Sequence, residues 1–130
     1  MGVEPAPHLA PVNCLIKLDR TKALIHGILD ESKPKEALIH VLESAIELIQ
    51  IPDNDFIWSY WEDAKQAKAE IDKLISILQS GELPERVEVA VVFAPTGPLQ
   101  EVSINSGWSE AFLRVAEKYD RVEQILWGSS

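Results

Sequence analysis

The sequence predicts an α+β fold: a bundle of about three N-terminal helices, one antiparallel β-hairpin and a C-terminal helix closing over the hairpin. Three observations carry this expectation. Across three N-terminal segments the apolar residues recur at spacings of three and four, the period of an amphipathic helix. At "RVEVAVVFA", residues 86–94, the period drops to two, with Val87, Val89, Val91 and Phe93 facing one way and Glu88, Ala90 and Val92 the other. From Trp108 the spacing of three and four returns and runs to Leu126.

Taken in order, residues 1–13, "MGVEPAPHLAPVN", contain three prolines and read as an extended leader ahead of a single domain over 14–130. They lack the basic and apolar regions of a secretory signal. A first helix is expected over about 19–31, capped by Asp19, with Leu24, Ile25, Ile28 and Leu29 as its stripe and Gly27 as its weak point. A second, about 34–50, opens on Pro34 and ends before Pro52. Its stripe of Leu38, Leu42, Ala45 and Ile49 is widened by Ile39, Val41, Ile46 and Leu48, which calls for contact on two sides.

A third helix, about 54–80, takes Asp53 or Asn54 as its cap and closes at Gly81 and Pro84. Its seam is Ile57, Trp61, Ala64, Lys68, Ile71, Ile75 and Leu78. Strands follow at about 86–94 and 99–105, the second being "LQEVSIN". Between them "PTGP" supplies a turn, where Pro95 fixes one dihedral and Gly97 tolerates positive φ. The last helix, about 107–126, buries Trp108, Phe112, Val115, Tyr119, Val122 and Leu126, with residues 121–127 as an alternative third strand.

The chain has 130 residues, a formal net charge of −9 and one cysteine, Cys14. One cysteine allows no internal disulfide and no four-cysteine zinc site, and a cytoplasmic protein is expected. Such an acidic chain is repelled by phosphate backbones, so nucleic acid is excluded as a partner. No apolar run approaches the roughly 18 residues of a membrane span, so a membrane is excluded too. From Glu36 to Asp63 the chain carries seven acids and no Lys or Arg. That asymmetry suits a docking surface for a basic protein.

Within this block "DFIWSYWED", residues 55–63, brackets four aromatics with acids. On a helix these side chains point too widely for one partner helix to bury them, so the stretch is expected to wedge between bundle and hairpin. The leading expectation is a non-catalytic protein-interaction module. Glu36, Glu43 and Glu47 with Phe56, Trp58 and Trp108 would meet a basic partner, in the manner of an immunity protein or antitoxin, or a second copy of the chain. No cofactor is required by this reading. An alternative is a metal site formed by His26 and Asp30 on one helix with His40 and Glu43 on the next. A second alternative is a small-molecule pocket lined by Trp61, Phe93 and Trp108. No nucleophile elbow or phosphate loop is present, and Ser106, Ser109 and Asn105 are the residue types that start helices.

Residues 92–120, with "APTGPLQE", "SGW" and "EAFL", resemble a segment of an uncharacterised family of small bacterial proteins. The resemblance implies a bacterial cytoplasmic protein in which the turn and the Trp108 helix start matter to the fold or to a partner. It implies no catalytic residue.

Overall fold

The computed structural model describes residues 18–57 and 59–128; the leader, Cys14 and Trp58 lie outside them. Six helices run through the described residues: α1 Asp19–His26, α2 Pro34–Ile49, α3 Ala64–Gln79, α4 Arg86–Phe93, α5 Pro98–Ser106 and α6 Ser109–Trp127. No strand occurs among those residues.

α2 is the axis of the bundle. It buries Ala37, Leu38, Val41, Leu42, Ser44, Ala45, Leu48 and Ile49, a broad apolar face covering a little less than half of its circumference. It packs on α1, α3, α5 and α6. Each fully buried leucine here contributes about 1.5–3 kcal/mol relative to leaving it in water. α3 adds Ala67, Ile71, Leu74, Ile75 and Leu78, and α6 adds Phe112, Val115, Tyr119 and Val122, both at spacings of three and four. α6 remains helical to Trp127, so residues 121–127 form no strand.

The expected α+β class is corrected to all-helical. The segment read as strand 86–94 is helix α4, and the one read as strand 99–105 is helix α5. A nearly continuous apolar run matches both periods, and the buried residues decide between them. Val89, Val92 and Phe93 are buried while Val87 is 71% exposed, a helical pattern rather than an alternating one. In α5 the buried set Leu99, Val102 and Ser103 again follows spacings of three and four. A lone two-stranded ribbon leaves unpaired edges and is only marginally stable, whereas a helix satisfies its backbone internally. "PTGP" therefore joins two helices. Pro98 occupies the first turn of α5, Thr96 takes the positive φ of 62°, and Gly97 stays at φ −79°. Gly97 is needed for close approach instead, since a Cβ there would lie 2.6 Å from the Val91 carbonyl oxygen.

Two N-terminal helices are shorter than expected. α1 stops at His26; beyond Gly27, Ile28 is 99% exposed, so the predicted stripe shrinks to Leu24 with Ile25 and Leu29 half-buried. The expected third helix, about 54–80, begins only at Ala64. Asp63 is its cap, accepting from Gln66 N at 2.8 Å, and Gln66 Oε1 in turn accepts from Glu62 N at 2.5 Å. Residues 50–57 and 59–63, which hold most of the aromatic stretch, form a connection rather than helix. The seam loses Ile57, which is 76% exposed, and keeps Trp61, buried at 1%.

Candidate functional site

Loops of this length without secondary structure of their own are uncommon in compact domains and usually functional. This one is tied down along its course. Asn54 Nδ2 donates to the carbonyls of Leu48 and Ile49 at the C-terminus of α2, at 2.9 and 3.0 Å, the first of which also accepts from Ile51 N. Asn54 Oδ1 accepts from Trp108 Nε1 at 2.8 Å. Asp55 N donates to Ser106 Oγ at 2.8 Å. Asp55 Oδ1 then accepts from Ile57 N at 2.9 Å, an Asx turn. The loop start is thus fastened to the α5–α6 corner, where Gly107 takes φ +89° as only glycine does readily.

The loop end is fastened by Glu70 of α3. Its Oε1 accepts from Tyr60 OH at 2.7 Å and from Trp61 Nε1 at 3.1 Å. Tyr60 and Trp61 stand edge to face, with centroids 5.7 Å apart at 62°. Partial burial, and then the neighbouring Glu70 carboxylate, push the Tyr60 phenol up to about 12, so it remains a neutral donor.

Between these anchors the loop curls around a groove of about 1000 Å³ open to solvent. Among the described residues, every charged one lining it is an acid: Asp53, Asp55, Glu62 and Asp63. Tyr60 is 54% exposed and Phe56 is half-buried at its wall. The chemical character is therefore anionic with aromatic faces.

The remaining predicted residues fall elsewhere. Glu47 is committed to α1: Oε2 accepts from Arg20 N at 2.9 Å, and Oε1 from Thr21 N and Thr21 Oγ1, both at 2.8 Å. It caps a helix whose own cap residue, Leu18, offers no side-chain bond. Glu43 pairs with Arg20 at 3.3 Å, and His40 Nε2 lies 2.8 Å from the Arg20 carbonyl oxygen. Glu36 is exposed on the first turn of α2. Two of the three acids expected to meet a partner are thus spent holding α1. Asp30 accepts from Ser32 N and Oγ, bonds that hold its carboxyl below the usual range, and His26 lies exposed at the end of α1. Among the described residues no group of three or more His, Cys, Asp or Glu is arranged to hold a metal ion.

Asp30, Glu36, His40 and Glu43 do share a cleft of about 420 Å³ between α1 and α2, but Arg20 and Lys33 line it too and offset its charge. Trp61, Phe93 and Trp108 do not converge on one pocket. Trp61 lines the loop groove, Trp108 bonds Asn54, and Phe93 stacks on Tyr119 at 4.6 Å. Burial and then Glu123, which accepts from Tyr119 OH at 3.1 Å, raise the Tyr119 phenol. No helix of the described residues is long and apolar enough to cross a membrane.

Asn54 and Ser106, read from the sequence as helix-starting residues, instead hold the loop, and Glu70 was not singled out. Glu70 carries no local signal, being joined to the loop only through the tertiary fold. The loop's end was legible: Asp63 with Gln66 three residues on is a capping-box pattern. No family model, curated protein or solved structure matches the chain.

Proposed function

We propose that the protein is a small, acidic, non-catalytic docking module, and that its loop between α2 and α3 receives a basic protein partner. The observation that carries this reading is a loop fastened at both ends that nevertheless presents Ile57 and Tyr60 to water beside Asp53, Glu62 and Asp63. Ordering a flexible loop on binding costs affinity, and a loop already held by Asn54, Ser106 and Glu70 avoids much of that cost. Aromatic side chains ringed by charges of one sign are suited to anchor a partner while the field speeds encounter. An immunity protein that neutralises a basic toxin is the form such a module takes by analogy, in the cytoplasmic setting expected from the sequence.

The test is association with the basic protein that co-purifies from native cells, measured at low and high salt. Affinity should fall steeply as salt shortens the Debye length from about 10 Å at 0.1 M towards 3 Å at 1 M. The double variant Asp53→Asn/Glu62→Gln should weaken association and flatten that dependence, while Glu36→Gln on α2 should leave both unchanged. The reverse ranking, or association indifferent to salt, would overturn the reading.

A further inference from the structure

The loop groove also specifies what kind of group it takes, an inference that rests on the docking reading and narrows it. Among the described residues its charged lining contains four carboxylates and no Lys, Arg or His. Two of these have an oxygen already in use, Asp55 on Ile57 N and Asp63 on Gln66 N. Asp53 and Glu62 have no side-chain bond among the described residues, and both side chains are exposed. Asp53 sits at φ +68°, in the left-handed region.

The Tyr60 ring lines the same groove. Its hydroxyl is committed to Glu70 and its edge-to-face contact with Trp61 fixes its orientation. A fixed, half-exposed aromatic face next to uncommitted carboxylates is the arrangement that attracts an organic cation: the ring quadrupole supplies one wall and the acids supply the charge. A planar guanidinium fits best, because it stacks on a ring and donates to carboxylates in its own plane at once. The two mixed-charge clefts beside α1 differ in this respect, since Arg20 lines both of them.

We propose that the groove formed by Asp53, Tyr60 and Glu62 is a receptor for an arginine side chain of the partner, stacked on Tyr60 and held by the carboxylates. The probes are N-acetyl-arginine amide, its neutral isostere N-acetyl-citrulline amide, and tetramethylammonium, each titrated into the ¹⁵N-labelled protein. The arginine probe should move backbone resonances of residues 50–63 and the Trp61 indole signal, and the citrulline probe should not. Tyr60→Ala should weaken the arginine probe roughly two- to fivefold, the range expected of an exposed cation–ring contact. Asp53→Asn/Glu62→Gln should weaken it further; asparagine tolerates the left-handed backbone at position 53.

Equal shifts from citrulline, absence of loop shifts at tens of millimolar probe, or full binding by Tyr60→Ala would each overturn the proposal. Stronger binding of tetramethylammonium than of the arginine probe would also overturn it, in favour of a site for a free quaternary ammonium. The two readings fail separately. Arginine binding without a basic protein partner would remove the docking function and leave the receptor. A salt-sensitive protein partner with no arginine-probe shifts would do the opposite.

Discussion

Removing the Glu47 carboxylate should unfasten α1 from the bundle. α1 is only eight residues long, buries just Thr21 and Leu24, and has no side-chain cap of its own. Glu47 reaches across from α2 to supply one, accepting from Arg20 N, Thr21 N and Thr21 Oγ1. In Glu47→Ala, Arg20 N is exposed and water replaces the lost acceptor at little cost. Thr21, 3% exposed, is different: its N–H is left unsatisfied, which costs about 1–3 kcal/mol, while its hydroxyl keeps the Ser44 carbonyl oxygen at 3.2 Å. Loss of negative charge at the helix N-terminus adds about 0.3–1 kcal/mol. The expected total is about 2–3 kcal/mol, with Glu47→Gln costing less because one acceptor oxygen survives. Urea unfolding gives the total, and amide hydrogen exchange gives its location. α1 amides should lose protection first, because the helix can open while the α2–α3–α6 core stays folded. A Glu47→Ala protein within 0.5 kcal/mol of wild type, or one with α1 protection unchanged, would refute the capping role.

Three further outcomes are expected. Asn54→Ala removes the donor to two carbonyls at the end of α2 and the acceptor for the Trp108 indole; it should cost about 2–3 kcal/mol in urea unfolding and shift the Trp108 indole N–H resonance. Val87→Ala tests the secondary structure of residues 86–93 by its sign. At this exposed helical site alanine should stabilise by about 0.5 kcal/mol, whereas in a strand it would destabilise. Finally, ultraviolet titration of the chain's two tyrosines should show Tyr60 ionising near pH 12, and Tyr119 only when the protein unfolds. An unfolded tyrosine ionises near pH 10, so between pH 10 and 12 the folded state binds more protons and stability falls as pH rises. A Tyr60 titration near 10 would contradict both its partial burial and its contact with Glu70.

The helices at α2, α3 and α6 were legible because each is long and carries one apolar period. Leu38, Leu42, Ala45 and Ile49 on α2 and Phe112, Val115, Tyr119 and Val122 on α6 fit no other period. The short elements were not. In "RVEVAVVF" the valines satisfy an alternating pattern as well as a helical one, and β-branched residues favour the wrong choice. Burial against α5 and α6 settles it, and that is tertiary information. The third helix was overextended because Ile57 and Trp61 continue its period by coincidence: one is exposed and the other is buried from the loop.

The candidate site divides in the same way. The acids of residues 53–63 could be read as a block of one charge, and the structure places Asp53, Asp55, Glu62 and Asp63 on one groove with Phe56, Tyr60 and Trp61. Which carboxylates stay uncommitted could not be read. Glu43 and Glu47 look equivalent to Glu36 on a helical wheel until Arg20 and Thr21 are packed against them. Ser106 and Trp108 lie at the α5–α6 corner, where tertiary contacts fasten the loop.

The docking proposal is tested most directly by amide hydrogen exchange of the protein alone and with a basic protein that co-purifies with it. Slowed exchange should be confined to residues 53–63 and the α5–α6 corner, with the Glu36 face of α2 unchanged. Protection appearing on α2 around Glu36 while the loop exchanges as in the free protein would contradict it.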